Sequence, residues 1–218
     1  MKAEVAASSL TYPFRPGATR AWLVGVPLAF VCPLGAIPLL GYSVAAARSV
    51  AVDGDAALPA WRLDLRLLRD GALLLVLLVV LTAPFGAAVW AASARLASAL
   101  PVSDALLARG YGVLGAGAPL ALLWALLTLI VVPPGIRRYV RSGRAADLFD
   151  VPASLRLLRG GFWAWNLAGV PIVTAWAIAA LAVCAGGLGA PFAAFYAILV
   201  SAHASASLPD TSSSSPQG

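Results

Sequence analysis

The chain has 218 residues, 61% of them hydrophobic and only 11% charged, with a net charge of +6. A soluble domain is about 45–50% apolar and about 25% charged, so a water-facing globular surface is excluded. The basic excess does not indicate nucleic-acid binding: the arginines stand at the ends of apolar runs, at the depth of lipid headgroups, and no groove-reading motif is present.

No Asp, Glu, Lys or Arg interrupts 21–47, 71–94, 110–136 or 160–209. About 20 apolar residues suffice to cross a bilayer core. The first three runs predict one crossing each, and the fourth, too long for one helix, predicts two. The fold class expected is therefore all-α: a polytopic transmembrane bundle of about five apolar helices. The single transmembrane helical domain is expected over 21–206, between a polar N-terminal tail at 1–20 and a disordered Ser/Pro-rich tail at 207–218. The first apolar run is too long for a usual 7–15-residue signal core, so cleavage of a leader is not expected.

Within the N-terminal tail, Tyr12-Pro13-Phe14 is placed to seat on the membrane surface, with Arg15 and Arg20 at headgroup level. The run 21–47 is broken by Pro27, Pro33 and Pro38 and by Gly25, Gly35 and Gly41. Proline removes a backbone donor and kinks a helix. The segment is thus either a kinked span, which we expect, or a broken, re-entrant pair. The connection 48–70 opens with an Asp53-Gly54-Asp55 turn. From Leu58, apolar Leu58, Trp61, Leu65 and Leu68 recur at steps of three and four beside a stripe of Arg62, Arg66 and Arg69. This predicts a short amphipathic helix in the interface, with Trp61 at the level that suits its mixed character.

Run 71–94 is followed by a short connection, 95–109, in which Asp104 is a candidate helix cap. Run 110–136 stops at Pro133-Pro134-Gly135. A second basic connection, 137–159, ends on a second amphipathic segment carrying Arg156 and Arg159. A fourth helix then runs to about Cys184, Gly186-Gly187-Leu188-Gly189 makes a tight turn, and a fifth helix covers about 190–205.

Leu65-Arg66-Leu67-Leu68-Arg69 recurs as Leu155-Arg156-Leu157-Leu158-Arg159, each copy preceding glycine or Asp-Gly and an apolar run. A duplicated unit of span, basic surface helix and span accounts for this. Cytoplasmic loops carry the excess of Lys and Arg. The connections 48–70 and 137–159 are accordingly expected in the cytoplasm, and the chain is expected to be a multi-pass protein of the cell membrane.

No catalytic set is present. The one histidine, His203, lies near the end of the last apolar helix with no carboxylate in any span to partner it, and is read as a polar residue at the cytoplasmic interface. Asn166, the one amide inside a span, is read as helix glue. Cys32 and Cys184 have no metal or redox spacing. No metal ligand set, Walker loop or dinucleotide fingerprint occurs. We expect no enzyme activity and no cofactor. The candidate site residues are those placed at lipid headgroups, Trp61, Arg62, Arg66, Arg69, Arg156 and Arg159, and the expected partners are membrane lipids, anionic ones above all.

The order of several stretches resembles a prokaryotic family of uncharacterised membrane proteins, domain-of-unknown-function family 4013. Tyr12-Pro13-Phe14-Arg15 precedes the first apolar run. Gly41-Tyr42, Arg48, Asp53-Gly54-Asp55 and Leu58-Pro59-Ala60-Trp61 follow, and Pro191-Phe192, Tyr196, Val200 and Ala202-His203 match the last helix. Where the family flanks its Trp with acidic residues, Ala60 and Arg62 stand here. The resemblance implies a multi-pass helical fold and brings no activity. Contact with lipids or membrane proteins is thus the function expected, with a permease or transporter component as the alternative.

Overall fold

The computed structural model describes residues 2–31, 34–54, 56–99, 104–160 and 162–208. No strand occurs among them. The helices are α1 (Lys2–Thr11), α2 (Ala18–Phe30), α3 (Ala36–Val52), α4 (Leu65–Ala99), α5 (Ala105–Ser142), α6 (Ala145–Phe149), α7 (Val151–Gly160), α8 (Phe162–Cys184) and α9 (Ala190–Ala206), with a 3-10 turn at Tyr12–Phe14. Three of them, α4, α5 and α8 from Trp165, are long and apolar enough to cross a membrane. The chain divides into two compact units, residues 1–75 with 131–218, and residues 76–130.

In the first unit α8 and α9 form a hairpin. Its turn uses Gly186 and Gly187 at φ of 109° and 81°, a conformation in which a Cβ would strain the backbone. This bears out the expected tight turn. Ala175, Ala179, Ala197 and Val200 make a core between the two helices, with Leu10, Ala193 and Tyr196 packed against it. The N-terminal segment is part of this core. α1 lies against α8 and α9, and Tyr12 and Pro13 are buried, so they do not seat on a surface as expected. Residues 209–218 of the expected disordered tail, and Cys32, lie outside the described residues.

The first apolar run is the main departure from expectation: it is a hairpin and not a kinked span. Trp61 donates its indole N–H to the Ala21 carbonyl at 3.3 Å. The same ring stacks on Tyr42 at 4.0 Å between centroids. Residues 21 and 42 would stand about 30 Å apart along one helix; here they meet on one indole. Arg15, ahead of α2, likewise reaches the carbonyls of Gly54 and Ala56, beyond α3, at 3.1 and 3.5 Å.

Those contacts also explain the second departure. The interfacial helix expected from Leu58 does not form as a separate element. Residues 56–64 are not helical, and helix starts at Leu65 and continues without a break into α4. Two forces compete with helix here. Pro59 offers its carbonyl to the Tyr42 hydroxyl at 2.8 Å, and Asp64 caps α4 by accepting from the Leu67 N–H at 2.7 Å. The second surface segment does form a short helix, α7.

In the second unit the long helices α4 and α5 pack through small residues: a Cβ on Gly112 would meet the Ser93 carbonyl, and one on Gly115 would meet Leu96. Trp124 donates to the Thr82 hydroxyl at 3.1 Å. Asp104 accepts from the N–H of Leu106 at 2.8 Å and of Leu107 at 3.3 Å, the cap that was expected.

Candidate functional site

The most concentrated chemistry in the first unit surrounds Asp70, two turns into α4. α3 and α4 approach closely here because both present glycine. A Cβ on Gly41 would strike the Leu67 carbonyl, and one on Gly71 the Ile37 carbonyl. This brings Arg48 Nη2 to Asp70 Oδ2 at 3.0 Å. Arg69 Nη2 reaches Oδ1 at 3.3 Å, and the Tyr139 hydroxyl of α5 donates to the same oxygen. Asp70 is 1% exposed, whereas the Arg48 and Arg69 side chains are 23% and 63% exposed. Three donors on one carboxylate, two of them cationic, hold it as a charge-compensated clamp among three helices. The contact with the exposed Arg69 contributes little.

The second copy of the repeat has its own half-buried arginine. Arg138 stands as far ahead of Leu155 as Arg48 does ahead of Leu65. It donates to the carbonyls of Asp147 and Asp150 at 3.0 and 2.7 Å and to the Ser154 hydroxyl at 3.0 Å. Arg48 and Arg138 thus each pin the segment that follows them, one through a carboxylate and the other through main-chain carbonyls.

A third polar cluster joins the N-terminal segment to α9. His203 is 2% exposed. Its Nδ1 lies 2.9 Å from the Ser9 hydroxyl, and its ring lies 4.8 Å from that of Tyr12. His203, in the last turn of α9, is thus packed among protein side chains. Burial pushes the Tyr12 hydroxyl above its ordinary pKa, while the nearby Ser49 hydroxyl and Arg15 guanidinium pull it down.

Of the residues expected at lipid headgroups, Arg62, Arg66 and Arg156 are exposed. Arg69 is exposed and also touches Asp70. Trp61 is half-buried, with its ring on Tyr42 and its N–H on Ala21; it belongs to the packing over the α2–α3 hairpin and not to an apolar stripe on a surface helix. The Arg159 side chain lies outside the described residues. Asp70, Tyr139 and Arg138 were not singled out from the sequence, and Arg48 stood out only in the family resemblance. The one available signal was Asp70 at the edge of an apolar run, directly before Gly71. Among the described residues no group of three His, Cys, Asp or Glu is placed to hold a metal ion.

An all-helical chain with three membrane-length apolar helices, and ionic contacts gathered at the ends of its apolar runs, defines an α-helical membrane protein. The chain belongs to the family described as Protein of unknown function (DUF4013), whose family model matches residues 24–201. Comparison with curated proteins and with solved structures returned no match.

Proposed function

We propose that this is a non-enzymatic, multi-pass protein of the cell membrane that acts by contact with lipids or with other membrane proteins. One observation carries this reading: the apolar surface of α4 and α5 faces outward. Only 11% of the most apolar window of either helix is buried. Val76, Val79 and Val80 on α4 and Leu114, Leu122 and Leu126 on α5 are exposed. Such a surface requires lipid or another apolar helix around it.

Arginine at the helix ends supports the lipid reading. Arg62, Arg66 and Arg156 are exposed, and a basic residue near an anionic surface is worth roughly 1 kcal/mol. The basic connections 48–70 and 137–159 then face the cytoplasm, following the bias of such loops. The break between α2 and α3 favours the second reading, a permease component, since broken helices in transporters line solute paths.

The test is lipid selectivity of the full chain. Reconstituted in mixed phosphatidylcholine and phosphatidylglycerol, the protein should retain phosphatidylglycerol above its bulk share on gentle extraction. The Arg62→Gln, Arg66→Gln, Arg156→Gln variant should lose most of that enrichment, about 3 kcal/mol of attraction if the terms add. Retention at the bulk ratio by the native chain would overturn the headgroup reading.

A further inference from the structure

We infer that the segment ahead of α2 and the segment after α3 form one surface: the N-terminal segment lies on the same side of the bilayer as the connection 48–70, and the two seat together in the lipid headgroup layer. The inference rests on the multi-pass membrane reading proposed above. It does not depend on the preference for anionic lipid.

The first observation is a register. Arg15 donates to the carbonyls of Gly54 and Ala56 at 3.1 and 3.5 Å. A Cβ on Gly17 would stand 3.4 Å from the Leu58 carbonyl oxygen, and Gly17 takes a φ of 88°, where a side chain would strain the backbone. Trp61 donates to the Ala21 carbonyl at 3.3 Å. The contacts advance together along both stretches: 15 meets 54 and 56, 17 meets 58, and 21 meets 61. The two stretches therefore run side by side in the same direction, one entering α2 and the other leaving α3. None of these contacts depends on the path between α2 and α3. Segments held in register in this way cannot lie on opposite sides of a hydrocarbon core about 30 Å thick.

The second is charge. On this side Arg15 and Arg20 join the arginines of 48–70, in keeping with the bias of cytoplasmic loops. A single span over 21–47 would have set them on the opposite side. The third is what the joint surface shows. Arg20, Arg62, Asp64 and Arg66 are exposed, which keeps them out of hydrocarbon, where a bare charge is costly. Beside them Phe14, Leu63 and Leu65 are 69%, 68% and 86% exposed, a poor match to water. The headgroup layer accepts both kinds of side chain. Arginine stems lie along its apolar boundary with their heads in the polar zone. Trp61, stacked on Tyr42, has the mixed character that suits the same level. Because Asp53 and Asp64 stand among the arginines, the seat follows from depth and needs no anionic lipid.

The experiment uses the full chain with Cys32 and Cys184 replaced by alanine. For sidedness, single cysteines at the exposed Thr19 and Ala57 are compared in intact cells. Both should react with a membrane-permeant thiol reagent and neither with an impermeant one. Impermeant labelling of only one of the two would overturn the shared side. Impermeant labelling of both would reverse the orientation proposed above and still place the two segments together. For depth, a bimane fluorophore on a single cysteine at Leu63 is followed in phosphatidylcholine vesicles, with Leu65 as the second site should the first variant fail to fold. Quenching should be strongest from a nitroxide on the lipid headgroup, and weaker from a mid-chain nitroxide or from aqueous iodide. Strongest quenching by iodide would mean a water-facing surface, as for a protein-docking face left empty in lipid alone. Strongest quenching by the mid-chain nitroxide would mean burial in hydrocarbon. Either result overturns the headgroup seat. Headgroup-depth quenching in a chain that shows no phosphatidylglycerol enrichment would sink the anionic-lipid contact proposed above and leave this surface in place.

Discussion

Asp70 Oδ2 accepts a hydrogen bond from Arg48 Nη2 at 3.0 Å, which ties the end of α3 to the second turn of α4. Removing one partner of a buried ion pair costs about 3–5 kcal/mol because the other charge is stranded. Arg48 is 23% exposed, so water recovers part of that loss, and Asp70→Asn should cost about 2 kcal/mol. Arg48→Met combined with Asp70→Leu should cost less than the two single changes together. Denaturant unfolding in detergent micelles measures all three. Additive single-variant losses would show that the two side chains are not coupled.

The three membrane-length apolar helices, the Asp104 cap and the Gly186–Gly187 turn were legible in the sequence because each rests on local chemistry: run length, a short acceptor before a helix, glycine where φ is positive. The Asp70 clamp was not. Apart from the neighbouring Arg69, its partners lie 22 and 69 positions away in the chain, and nothing near Asp70 marks it as buried except the glycine that follows. The direction taken after the break at 31–35 was equally hidden. Proline and glycine show that a helix stops; whether the chain then turns back depends on Arg15 finding the Gly54 carbonyl and on Trp61 finding Ala21. The stripe of Arg62, Arg66 and Arg69 had true helical spacing, but Tyr42 and the Asp64 cap claim residues 58–64 for other contacts.

Ser9 and His203 anchor α1. Replacing His203 with alanine removes the acceptor or donor facing Ser9 and the ring facing Tyr12. A net hydrogen bond is worth about 1 kcal/mol, so the global fold should survive while α1 loosens. Hydrogen exchange followed by mass spectrometry should show faster exchange in 2–11, with α8 unchanged. Uniform protection in 2–11 would mean that apolar contacts such as Leu10 on the α8–α9 core hold the helix without His203.

Topology follows from where arginine accumulates. Except for Arg95 and Arg109, every arginine falls in 15–20, 48–69 or 137–159. Single cysteines at the exposed positions Ala57 and Ala146 should react in intact cells with a membrane-permeant thiol reagent and not with an impermeant one. A cysteine at the exposed Ser98 should show the opposite accessibility. Impermeant labelling at Ala57 or Ala146 would place that connection outside the cell and reverse the assignment.

Gly71 should be the least replaceable glycine of those in α4. A methyl group there meets the Ile37 carbonyl, whereas one on Gly86 of the same helix meets nothing within 4 Å. Both positions are helical, so both changes to alanine gain the same intrinsic helix preference, about 1 kcal/mol. At Gly86 that gain should appear as an unchanged or slightly higher unfolding midpoint. At Gly71 overpacking should outweigh it, since forcing atoms into a close-packed contact costs about 1–3 kcal/mol and the obstacle is backbone, which cannot rotate aside. The shift also has a specific consequence. α3 can accommodate a Cβ only by moving away from α4, which lengthens the Arg48–Asp70 contact. In a Gly71→Ala background, Asp70→Asn should therefore cost markedly less than in the native chain. Equal costs in the two backgrounds would show that the glycine contact and the ion pair stabilise the α3–α4 crossing independently.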